Sequence, residues 1–252
     1  MRVLLRKQVN LIIILCSLVP FYGCEKNEDD SNNKFNDKTT AVFNSNKTYG
    51  TMTDQEGNVY KTITIGTQTW MAENLRTTKY NDNTEIPNVT DNLAWNNLST
   101  GAYCTYNNTT DIVSIATYGR IYNWYAVNYG KLAPSGWHVP SKTEWTTLIN
   151  YLGGESVAGA KIKEAGTNHW KTPNTGTSNE SGLTVLPGGY RYDFSGIFTG
   201  INDGIGFWSS TDDPNTNSNA WIFQFSYNNS YAISNTALEF GGFYIRFIKD
   251  TK

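Results

Sequence analysis

The chain has 252 residues, a formal net charge of −2 and 14% aromatic residues, with only three cysteines. A mildly acidic chain without a basic cluster argues against nucleic acid as a partner. Residues 48–252 suffice for one sizeable hydrophobic core without covalent staples, and they read as one domain.

Residues 1–23 have the makeup of a secretion leader. Arg2, Arg6 and Lys7 are followed by an apolar run centred on Leu11–Leu15. That run is too short for a membrane span, which takes roughly 20 apolar residues. Gly23 before Cys24 resembles the lipobox of bacterial lipoproteins, in the looser form found in Bacteroidetes-like chains. Cys24 is therefore the expected lipidation site, with an ordinary signal peptide cut elsewhere as the alternative. Within residues 24–47, the stretch 25–40 is charged, Asn-rich and almost free of apolar side chains, a composition that cannot order itself. Residues 24–47 read as a disordered tether. Its acidic start, Glu25, Glu28, Asp29 and Asp30, resembles the signal that sends such lipoproteins to the outer face of the outer membrane; a generic solvated linker is the alternative. Removing the +3 of the leader from the whole-chain charge of −2 leaves −5. Cys16 leaves with the leader and Cys24 is lipidated, so Cys104 stands alone without an intrachain disulfide.

Order is expected from about Thr48. Val59, Lys61, Ile63 and Ile65 recur at period two, Gly66-Thr67 forms a turn, and Gln68–Ala72 returns as the second arm of a β-hairpin. The segment from Asp91 to Asp111 reads as loop, with a short extended piece at 102–106. Ile121, Trp124, Tyr125 and Asn128 fall at helical spacing and Gly130 stops the run.

The stretch SGWHVPSKTEW, residues 135–145, holds one of two histidines beside Ser, Lys and Glu. Ser141 stands three residues before Glu144, which is a capping box. Trp145, Leu148, Ile149 and Leu152 follow at i, i+3, i+4 and i+7, and Gly153-Gly154 ends the helix. Ser141 and Glu144 are thus assigned to capping. His138 lies in an extended segment that Pro140 keeps out of the helix. Its expected partners are backbone groups, because no second catalytic group is evident. His169 reads as a loop residue of the same kind. No catalytic residue, cofactor or metal site is expected. Asp212 and Asp213 are the nearest thing to a calcium motif and read as solvated.

Residues 157–164 suit a further short helix, and Gly- and Asn-punctuated strands follow. In AWIFQFSYNNSYAI, Trp221, Phe223 and Phe225 are expected to face the core. Asn219, Gln224, Ser226, Tyr227, Asn229 and Tyr231 are expected to point outward around a turn at 227–230, and they are the candidate ligand-binding residues. Trp70, Trp124, Trp137, Trp145 and Trp208 are assigned to the core. Hairpin and helices first, antiparallel strands and long loops after, make an α+β domain.

The strings DQEGNVYKTITIGTQTWMAENLR, YGRIYNWYAV, PSGWHVPSKTEWTTLINYLGG, LPGGYRY, GFWSST and IRFIKD, in that order, resemble the Fibrobacter succinogenes major paralogous domain. The resemblance covers about residues 52–250. It implies a fold related to C-type lectins and to the formylglycine-generating enzyme. It also implies that Ala133 and Phe247, where many members carry Cys, are neighbours in space, which leaves Cys104 as a buried thiol or a free one. The metal-holding cysteine pair of the enzyme branch is missing. The expected function is therefore that of an outer-membrane lipoprotein facing the cell exterior, a non-enzymatic binding module for glycan or protein. The 16 Tyr and 8 Trp suit recognition by stacking. A subunit of a surface assembly such as a fimbrial tip is the second reading, and a divergent enzyme of the formylglycine-generating type the third.

Overall fold

The computed structural model describes residues 33–192 and 194–251. The leader and Cys24 lie outside them. β1 (Gly50–Thr53), β2 (Val59–Ile65) and β3 (Gln68–Met71) form an antiparallel meander, with Gly66 at φ +62° turning β2 into β3. This is the hairpin the alternation predicts.

The next segment is more helical than its composition suggests. Asp91 caps α1 (Asn92–Asn96), accepting from the Ala94 N–H at 2.8 Å, and Trp95 anchors it through an indole N–H to the Phe240 carbonyl at 2.6 Å. Asp111 caps α2 (Ile112–Tyr118) in the same way. The first was expected to be loop, since Asn has low helix propensity. Here a side-chain cap and one buried contact suffice.

Between them β4 (Tyr103–Cys104) pairs with β5 (Ile121–Tyr122). The helix expected from Ile121 begins only with α3 (Trp124–Asn128), capped by Asn123. Tyr122 exchanges two backbone hydrogen bonds with Phe243, and that pairing takes Ile121 and Tyr122 into a strand.

β6 (Trp137–His138) leads into α4 (Lys142–Tyr151), whose capping box is present as read. α5 (Glu155–Ile162) follows directly after Gly154. The remaining elements are β7 (Gly188–Arg191), β8 (Phe198–Ile201), β9 (Gly204–Asp212), β10 (Asn219–Ser226), β11 (Ile233–Leu238) and β12 (Ile248–Lys249).

Two five-stranded sheets organise these elements, ordered β1-β2-β3-β12-β6 and β11-β10-β9-β7-β8. The first joins the two ends of the domain, because β12 inserts between β3 and β6. The second is antiparallel except where β7 meets β9. This is a small α+β domain of curled, mostly antiparallel sheets with a few short helices. One core cluster centres on Trp70, Trp145, Phe207, Phe223 and Phe225; a second holds Tyr60, Tyr122, Trp208, Ile222 and Phe247. Ala133 packs against the second cluster, so the two positions expected to be neighbours share one apolar environment. Trp137, expected in the core, is only half-buried.

Long loops need anchors, and three buried arginines supply them. Arg191 donates to the carbonyls of Gly196, Val89 and Thr90 at 2.7–2.9 Å. Arg246 donates to the carbonyls of Leu183 and Thr184 and to Asn74 Oδ1. Arg76 pairs with Glu73 at 3.0 Å and donates to Val59 O at 2.6 Å. A buried guanidinium offers five donors in a fixed fork, so each ties several strand or loop carbonyls to one point.

The tether reading of residues 24–47 fails for its described part, 33–47. One compact unit spans Asn32–Lys252. Asn33 donates to the Glu56 carbonyl and to Asn58, Asn44 donates to the Asn179 carbonyl at 2.8 Å, and Phe35 buries against Ile115 and Ala116. The segment is ordered by polar groups that the domain presents and by two aromatic anchors, Phe35 and Phe43, the latter packed against the first core cluster.

Candidate functional site

Strand β10 was expected to bury one face and expose the other. It buries parts of both. Phe223 and Phe225 enter the first core cluster, and Ala220 and Ile222 enter the second. The register shifts between Ala220 and Ile222 in the pairing with β9, and such an irregularity re-aims side chains. Trp221 is accordingly not in the core with Phe223. It is half-buried, with the Lys142 ammonium 3.0 Å from its ring centroid.

The outward set divides. Gln224 and Ser226 line a cleft of ≈ 320 Å³ together with Tyr190, Thr199, Asp203 and Ile233. The Gln224 amide makes no hydrogen bond among the described residues, whereas Ser226 Oγ donates to Asn228 Oδ1 at 2.9 Å. Asn219 stands at the opposite end of the strand, out of the cleft. Tyr227 packs against the first core cluster, and Lys171 lies over its ring. Asn229 shapes the turn by accepting from the Tyr231 N–H at 2.9 Å. Tyr231 projects into solvent, 48% exposed. The turn was expected to be a free rim. It is stitched down instead: buried Lys163 donates to the carbonyls of Ser226 and Asn229 at 2.7 and 2.8 Å, and Ala160 N–H donates to the Ser230 carbonyl. Desolvation pushes the Lys163 ammonium down to about 8.

Tyr190, Thr199 and Asp203 were missed as cleft residues. Tyr190 and Thr199 face each other across the β7–β8 pair, and β7 reaches the cleft only through its parallel contact with β9. Alternation along one strand carries no information about that pairing.

The histidines also differ from expectation. His138 is held by two carboxylates, Nδ1 with Asp250 at 2.6 Å and Nε2 with Glu144 at 2.8 Å. Burial disfavours its charged form, but the hydrogen bonds and charges of Asp250 and Glu144 outweigh that and raise its pKa. Glu144 is held below its usual range, against the cost of its own burial, by Ser141 and His138. Ser141 Oγ donates to Glu144 and accepts from the Glu144 N–H. Both contacts of the hydroxyl go to Glu144, whose carboxylate also accepts from the Ser141 N–H at 2.8 Å, the reciprocal pattern of a capping box. The cluster clamps the start of α4 and the segment after β12 onto β6, beside an open cleft of ≈ 620 Å³. His169 bonds the buried Glu164 at 2.8 Å and Thr40 at 2.9 Å. Asp213 is buried, not solvated, and accepts from the backbone and side chain of Asn215.

The family model described as the Fibrobacter succinogenes major domain matches residues 63–249. The chain belongs to that family. Comparison with curated proteins and with solved structures found no match. Several family-like strings now have physical roles. The arginines of AENLR, GGYRY and IRFIKD are the three loop anchors. The glycines of PGGYRY make room: a Cβ on Gly188 would collide with the Tyr244 ring, and Gly189 sits at φ +72°. In GFWSST, Trp208 donates to the Tyr122 carbonyl at 2.9 Å. The family strings therefore describe mostly scaffold, with Tyr190 of LPGGYRY also lining the β10 cleft, while Gln224 and Tyr231 lie outside them.

Proposed function

We propose that the protein is a lipid-anchored binding module, held through Cys24 on the outer face of the outer membrane, and that the β10 cleft takes part of a glycan or protein ligand. The supporting observation is the cleft itself. An amide without an internal partner, hydroxyls, the Asp203 carboxylate and the Tyr190 ring converge on one concavity built on paired strands. Clefts with a few convergent polar groups on a rigid frame are where ligands bind. A C-type-lectin-like arrangement fits the same frame, since strands from both ends of the domain share a sheet and a loop-rich segment lies between them.

The second reading, a subunit of a surface assembly, has one observation in its favour. β11 stands at the edge of its sheet with Ile233, Ser234 and Asn235 exposed. Such edges can accept a strand from another chain.

Both parts of the proposal are tested on one variant. Cys24→Ala should move the protein from the membrane fraction to the soluble one. That soluble protein should bind on a glycan array or in a cell-surface pull-down, and Gln224→Ala should weaken the interaction by about 1–2 kcal/mol. Cys24→Ala protein that stays in the outer membrane would overturn the anchor. A captured ligand whose affinity ignores Gln224→Ala would overturn the site.

A further inference from the structure

A third cleft, of ≈ 450 Å³, lies beside α3 and shares no lining residue with the β10 cleft. Its origin is the helix register. Trp124 and Val127 of α3 enter the core, which places Tyr125, Asn128 and Tyr129, at i, i+3 and i+4, on the opposite face. Tyr80 forms the base. Its ring centroid is 4.5 Å from that of Tyr129, and a side chain at Gly101 would collide with its hydroxyl. Gly101 is thus required for the cleft to close over Tyr80.

Three features define what would fit. The lining contains no formally charged side chain. Tyr129 is 51% exposed, yet its ring is held by Tyr80 on one side, which makes it a platform that loses little freedom on binding. The rim carries Ser99, Thr100 and Asn128, all exposed, and none of their side chains is hydrogen-bonded among the described residues. The Lys131 ammonium, 5.6 Å from the Tyr129 ring centroid, is already paired with Asp82 at 2.8 Å, so a charged ligand buried here would find no free counter-charge, at high cost. A purely apolar ligand would leave the rim groups desolvated and unmatched.

We propose that this cleft binds one ring of a neutral sugar chain, a pyranose with equatorial hydroxyls. Such a ring has a flat C–H face that stacks on the Tyr129 and Tyr125 rings. Its hydroxyls then radiate in the ring plane toward Asn128, Ser99 and Thr100. The volume falls within the ~300–1,000 Å³ of small-molecule sites. This site stands or falls independently of the β10 cleft.

The test is titration of the full chain with cellohexaose, an uncharged and all-equatorial probe, followed by calorimetry and intrinsic fluorescence. Hexagalacturonate and decaproline are the controls, because an anionic sugar tests the charge argument and a proline-rich peptide is the other ligand that stacks on tyrosines. Saturable cellohexaose binding is expected, weakened about tenfold or more in Tyr129→Ala and Asn128→Ala and unchanged in Leu93→Ala, an exposed side chain that lines neither cleft. Should Tyr129→Ala fail to fold, Asn128→Ala decides, because that side chain is exposed and unbonded. No cellohexaose binding at millimolar concentration, equal affinity in the Asn128 variant, or decaproline or hexagalacturonate bound in its place would overturn the proposal.

Discussion

At the scale of single residues, His138 carries most of the new information. It bridges Asp250 and Glu144, so its protonated form is worth more in the folded state than in the unfolded chain. Its folded pKa is raised above 6.5. The stabilisation is therefore complete below pH 6.5 and is lost as pH rises through the higher folded value. The imidazole is 40% exposed, and solvent screening keeps the effect to under about 1 kcal/mol. Melting temperature measured against pH should thus fall more steeply above neutrality in the native chain than in His138→Ala. Parallel profiles would mean that the clamp contributes nothing. Cys104 shows the opposite case, a titratable group whose burial outweighs the favourable Arg191 guanidinium beside it. It is fully buried, and desolvation pushes its thiol up to about 12, so at neutral pH it is an apolar core group.

At the scale of elements, α4 and β10 explain each other. The capping box starts α4, and the helical period then delivers Trp145 to the sheet. Phe223 of β10 stacks on Trp145 with ring centroids 5.1 Å apart. Phe223→Ala should cost about 3–5 kcal/mol, as loss of a buried aromatic does. Tyr231→Ala, past the end of the same strand and exposed, should change stability by less than about 0.5 kcal/mol. Chemical denaturation of the two variants checks both. A large loss in Tyr231→Ala would show that the stitched turn depends on that ring as well as on Lys163.

At the scale of the whole molecule, residues 33–47 act as part of the domain. Val42 N–H donates to the buried Glu164 carboxylate at 2.7 Å, and Thr40 meets both Thr117 and His169. A chain beginning at Thr48 would leave Glu164 short of a donor and uncover Ile115 and Ala116. Its melting should fall by the equivalent of at least about 2 kcal/mol, given what an unsatisfied buried charged group costs. Unchanged melting would restore the tether reading.

The sequence by itself determined whatever depends on neighbours along the chain. The β2–β3 hairpin, the capping box and period of α4, the burial of Trp145 and the isolation of Cys104 all follow from local pattern, and so does the family. Tertiary structure alone decided whatever depends on pairing between distant segments. Tyr122 became strand because Phe243 lies beside it. Trp221 left the core because the β9–β10 register shifts. His138 gained Asp250 from 112 residues away, and Asn44 found Asn179. The β10 and α3 clefts belong to this second class. Alternation could place Gln224 on an outer face, and helical spacing could place Tyr125 and Asn128 together. Only the folding of β7–β8 against β9, and of Gly101 over Tyr80, turned those faces into concave surfaces.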